Sequence, residues 1–91
     1  MKKNKKFIYL ISPNKILSLN FYKHLERIFK TKKIVFFQLR LKNENNQKIV
    51  KIAKKIKNLT KNYNVKFIIN DNPTLALKLN ADGCHIGQKD F

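Results

Sequence analysis

Gln38, Arg40 and Lys42 stand at alternate positions where an apolar run gives way to polar sequence. In an extended segment, period-two spacing turns all three to one side. An amide, a guanidinium and an ammonium on a common face form an array of donors. Arginine grips two phosphate oxygens at once and lysine adds a compact charge, so the array suits a phosphate or diphosphate. A polar loop with its charges in solvent has the same composition, and taken alone the array fits that plainer reading better. Asn70-Asp71 and Asp90 form a second group. Carboxylates at the ends of neighbouring strands can share one cation, and Mg²⁺ takes one or two carboxylates, with water and substrate phosphate completing its shell. Equally, Asp71 can cap a turn and Asp90 can be a chain-end charge; taken singly, those readings outweigh metal binding. Even so, the chain has only five acidic residues, and two of them fall here.

Four short apolar segments precede these groups. Residues 7–11, 34–39, 65–69 and 84–86 are rich in β-branched and aromatic side chains, as suits parallel strands buried on both faces. Between them lie helical patterns. Leu17, Phe21, Leu25, Ile28 and Phe29 recur at spacings of three and four, as do Ile49, Val50, Ala53, Ile56, Leu59 and Tyr63. Ser18 is a candidate cap for the first helix, and Asn43 or Asn45 for the second. A short third helix starts with Asn72 as cap and Pro73 in its first turn, with Leu75, Leu77 and Leu79 as apolar surface. Ala81-Asp82-Gly83 is the turn into the last strand. The order β-α-β-α-β-α-β argues for an α/β fold of parallel strands joined by right-handed crossovers. Each strand runs into polar residues at its C-terminal end, where sites gather in such folds.

Composition narrows the class. The chain has 91 residues, 43% of them hydrophobic, which is a globular composition. No apolar run reaches the roughly 18 residues needed to span a bilayer. Residues 1–6 form a basic extension ahead of the apolar 7–11, a run too short for a signal peptide and followed by no small-residue cleavage site, so a cytoplasmic location is expected. A single cysteine, Cys84, excludes a disulfide framework and a cysteine metal quartet. The net charge of +16 invites a nucleic-acid reading, since clustered cations neutralise phosphates. Only Arg27 and Arg40 are arginine, however, and the lysines are spread along the chain among many Asn and Ile. A coding bias toward these residues and solvated helix faces explain the lysines more simply. A basic protein still attracts phosphorylated small molecules.

Taken together, the motifs resemble those of thiamine-phosphate synthase, a (β/α)₈ barrel enzyme. That family's pattern runs Q-x-R-x-K, then I-N-D, then G-A-D-G-x-H-x-G-Q-x-D. Here the counterparts are Gln38-Leu39-Arg40-Leu41-Lys42, Ile69-Asn70-Asp71, and Asn80-Ala81-Asp82-Gly83-Cys84-His85-Ile86-Gly87-Gln88-Lys89-Asp90. The likeness covers residues 7–91, which read as the N-terminal half of a TIM barrel, with about four strands and three helices. It implies that Gln38, Arg40, Lys42 and Asn70 bind the aminopyrimidine diphosphate and that Asp71 and Asp90 hold Mg²⁺. The reaction implied joins 4-amino-2-methyl-5-(diphosphooxymethyl)pyrimidine to a thiazole phosphate and releases diphosphate. Negative charge develops on the leaving diphosphate, where Mg²⁺, Arg40 and Lys42 would stabilise it. No catalytic nucleophile or base is required, and no residue is assigned that role. A related thiazole tautomerase shares the barrel but does not need this diphosphate set.

Departures from the family pattern also carry expectations. Asn72 stands where many members have Arg, and Asn80 where Gly is usual, a mild change because Asn tolerates left-handed backbone. Cys84 takes a core strand position usually aliphatic and reads as packing. His85 is given no chemistry, and His24 is expected to be an exposed helix residue. The family's later segments, which complete the diphosphate site and bind the thiazole phosphate, have no counterpart in these residues. The chain alone is therefore expected to be inactive. It would pair with a complementary C-terminal half-barrel or with itself, because an open half-barrel exposes two edges and an apolar face. Two other readings stand beside this one: a non-catalytic phosphate-ligand binding remnant, and a basic nucleic-acid-binding protein.

Overall fold

The computed structural model describes residues 7–16 and 18–87. Its elements are β1 (Ile8–Ile11), α1 (Asn20–Lys30), β2 (Ile34–Leu39), α2 (Asn46–Asn62), β3 (Lys66–Asn70), α3 (Pro73–Lys78) and β4 (Gly83–His85). The strands form one parallel sheet in the order β1-β2-β3-β4, so each pairs with its sequence neighbour across a helical connection. This is the α/β architecture of a barrel segment. The boundaries expected for the strands hold to within one residue.

Helices cover one face of the sheet. Phe37 and Leu39 of β2 lie beside Phe67 and Ile69 of β3, and all four are buried with Leu25 and Phe29 of α1 and Ile52, Ala53 and Ile56 of α2. The Phe29 ring meets Phe37 edge-on at 5.9 Å. Cys84 packs partly buried against this core, as expected of a small apolar side chain.

Helix ends explain several residue choices. Asn45 caps α2 by accepting from the Lys48 N–H at 2.8 Å, and Asn72 caps α3 by accepting from the Leu75 N–H at 3.0 Å, with Pro73 in the first turn. Asn43, the alternative cap for α2, instead adopts left-handed backbone at φ 56°. Lys32, Asn64 and Asn80 also have φ near +60° (62°, 56° and 55°), each just past a helix, where the left-handed turn closes the C-terminus. Asn80 thus takes the conformation that glycine would supply more freely.

Two expectations fail. Ser18 does not cap α1: Leu19 holds the cap position with backbone already helical (φ −66°, ψ −22°), and no side chain caps it. A capping oxygen acts from an extended residue, and here the chain has turned before the helix begins. Ser18 contributes only its carbonyl, which accepts from the Phe21 N–H at 3.3 Å. Leu77, expected to add apolar surface to α3, is 83% exposed, while Ala76 is buried with Leu75 and Leu79. Alternating leucines are a strand pattern; on a helix the residues 75, 76 and 79 share a face and 77 points away. Leu17, expected in the α1 stripe, lies outside the described residues.

The opposite face of the sheet carries Tyr9 and Ile11 of β1 and Phe36 and Gln38 of β2. Tyr9 stacks on Phe36 with centroids 5.4 Å apart, and both remain exposed, as does Ile11. Among the described residues, no helix covers this face. Among the described residues, no helix is long and apolar enough to cross a membrane.

Candidate functional site

The carboxyl edge of the sheet gathers most of the expected site residues. Gln38 lies near the end of β2 on the open face. It is 3% exposed, and its Nε2 donates to the Tyr9 hydroxyl at 2.9 Å. That bond leaves the Gln38 side-chain carbonyl as an acceptor and the Tyr9 O–H as a donor.

Beyond Leu39 the chain runs on beside residues 12–14. Ser12 N–H donates to the Gln38 carbonyl at 2.9 Å, Arg40 N–H to the Ser12 Oγ at 2.8 Å, and Lys42 N–H to the Asn14 carbonyl at 3.0 Å. Gln38, Arg40 and Lys42 are therefore held in one register along the exit of β1, which maintains the period-two spacing. Asn43 then turns the chain away toward α2. Arg40 and Lys42 are exposed, and the described residues place no carboxylate in an ion pair with either.

Asn70 ends β3, opposite His85 of β4. Two residues before it, Ile68 pairs with Gln38, so Asn70 falls on the same open face, one step nearer the edge. Asp71 follows with left-handed backbone at φ 54°, its N–H donating to the His85 carbonyl at 2.7 Å. One Asp71 oxygen accepts from the Gly87 N–H at 2.8 Å, and the other takes a long bond from the Asn70 amide at 3.4 Å. The carboxylate is exposed and keeps lone pairs free, so it can serve as a hard oxygen ligand. Among the described residues there is no cluster of three metal-ligating side chains. Asp90, the second expected ligand, lies outside the described residues. The Asn72 side chain is engaged in capping α3. His85 lends its carbonyl to Asp71, and His24 is exposed on α1.

Tyr9, Ser12 and Asn14 were not among the expected site residues. Tyr9 alternates with Ile11 along β1, which was a usable signal for its face; the roles of Ser12 and Asn14 depend on cross-strand register, which no local pattern shows.

Comparison with known proteins bears on the family and the fold. The family model described as thiamine monophosphate synthase matches residues 8–91. The thiamine-phosphate synthase of Pelagibacter ubique (strain HTCC1062) is 62% identical over 90 residues, spanning 99% of this chain and 44% of that protein. The thiamine-phosphate synthase of Clostridioides difficile (strain 630) is 42% identical over 85 residues, spanning 92% of this chain and 40% of that protein. The solved thiamine phosphate pyrophosphorylase of Pyrococcus furiosus superposes with a TM-score of 0.77 at 25% identity, over 97% of this chain and 42% of that one. This chain spans less than half the length of these relatives. Its matching motifs, its strand order and its superposition agree that it belongs to the thiamine monophosphate synthase family.

Proposed function

We propose that this chain forms the pyrimidine-diphosphate side of a thiamine-phosphate synthase active site. The observation that carries the reading is the continued β1–β2 register, which holds Gln38, Arg40 and Lys42 in sequence at the sheet edge that also bears Asn70 and Asp71. In this reading the Gln38 carbonyl accepts from the amino group of the pyrimidine, and Asn70 supplies a further polar contact. Arg40 and Lys42 bind the diphosphate and stabilise its charge as it leaves. Asp71, with Asp90, would hold Mg²⁺, which when bound neutralises diphosphate charge. The incoming thiazole nitrogen supplies the nucleophile, so in this reading the chain needs no base.

The reading also requires a second half. The open face and the β1 and β4 edges are those that close a barrel, and a complementary half-barrel, or a second copy of this chain, would cover them. Soluble phosphorylated substrates place the work in the cytoplasm. Turnover tests the proposal: the chain mixed with a C-terminal half from a relative should form thiamine phosphate from the two substrates and Mg²⁺, while each half alone should not. A reconstituted barrel that binds both substrates yet forms no product would favour a ligand-binding remnant.

A further inference from the structure

We infer that Ser12 is a positioning residue for Arg40, an inference that rests on the diphosphate reading above. In a parallel ladder, the bond from Ser12 N–H to the Gln38 carbonyl sets the next rung: Arg40 N–H should donate to the Ser12 main-chain carbonyl. It donates instead to the Ser12 side-chain oxygen at 2.8 Å. The ladder then resumes in register, with Lys42 N–H on the Asn14 carbonyl at 3.0 Å. The hydroxyl thus stands in for one main-chain acceptor just past the end of β1. Pro13, two positions beyond the last residue of β1, carries no N–H, and sheets tolerate proline only at edges and strand ends. Ser12 is buried, and its own hydroxyl proton goes to the Pro13 carbonyl at 3.0 Å.

Removing the hydroxyl would leave the Arg40 N–H without its partner, in the middle rung of the three that align the array. The expected consequence is local. Arg40 would lose its fixed direction, while the helix-covered face, to which the hydroxyl makes no bond, would keep its packing.

Ser12→Thr and Ser12→Val test this as a pair, since they share a shape and differ in the hydroxyl; Ser12→Ala gives the simple deletion. Two quantities are read: exchange of the Arg40 amide proton, and affinity for the pyrimidine diphosphate with Mg²⁺ by calorimetry. Ser12→Thr should match the parent. Ser12→Val and Ser12→Ala should speed Arg40 amide exchange and weaken affinity about fivefold, the size of one ordinary hydrogen bond. On an Arg40→Ala background, the same substitutions should add nothing further. Equal losses on both backgrounds, or a Ser12→Val variant that binds as Ser12→Thr does, would overturn the inference. Arg40→Ala reports separately on the underlying reading. If it weakens binding and the Ser12 variants do not, the inference alone falls; if Arg40→Ala changes nothing, or the parent does not bind, both fall.

Discussion

Arg40 is held in place by its main chain, which leaves its guanidinium free for a ligand. Arg40→Ala should therefore weaken diphosphate binding about ten- to a hundredfold, the effect of losing a charged hydrogen-bonding partner, and barely change the melting temperature. Asp71 has two duties, as acceptor for Gly87 and as a candidate cation ligand. Asp71→Asn keeps an oxygen for Gly87 but removes the charge, so it should raise the Mg²⁺ concentration needed for binding, with excess Mg²⁺ partly restoring it. A Mg²⁺ titration of both variants separates the roles, because Mg²⁺ should not rescue Arg40→Ala. The array of Gln38, Arg40 and Lys42 was legible in the sequence because strand periodicity alone sets its spacing. Tyr9 and Ser12 were not, because they act through partners 29 and 28 positions away, respectively. Nothing near them in the chain indicates which residue of β2 they will face.

At the scale of elements, strands were read closely and helix surfaces less so. Buried parallel strands declare themselves as continuous apolar runs, but the six residues of α3 are too few to display a helical period against three alternating leucines. Leu77→Lys should consequently shift stability by no more than about 0.5 kcal/mol, whereas Leu79→Ala should cost about 2–4 kcal/mol through the cavity it opens in the core. Urea unfolding of both variants checks the assignment of faces. A contact between α1 and the end of α2 sets an alkaline limit. The Tyr63 hydroxyl donates to Glu26 at 2.7 Å, and this bond, with burial and the nearby carboxylate charge, raises the Tyr63 pKa above its ordinary value of 10.0. The folded state holds that proton more tightly than the unfolded state does. The contribution is thus fully present below pH 10 and is lost as pH rises through the raised value. Tyr63→Phe should remove this part of the alkaline loss of stability, as seen in melting temperatures measured from pH 8 to pH 11.

At the scale of the whole molecule, the two faces of the sheet differ in kind. One is sealed by helices; the other shows Tyr9, Ile11 and Phe36 beside a site-bearing edge, and β1 and β4 leave their outer sides unpaired among the described strands. Apolar surface and open edges favour association, while a net charge of +16 opposes the approach of two copies. Added salt screens that repulsion, so sedimentation at micromolar concentration should show more self-association as salt rises. Binding to nucleic acid through the lysines would show the opposite trend. The central claim is that this edge recognises a pyrimidine diphosphate, and calorimetric titration of the barrel completed with a relative's C-terminal half, with that compound in Mg²⁺, tests it most directly. The account predicts saturable binding with one site per chain, weakened when Mg²⁺ is withdrawn and weakened about ten- to a hundredfold in Arg40→Ala. A well-folded completed barrel that shows no binding, or that binds equally well as Arg40→Ala, would contradict it.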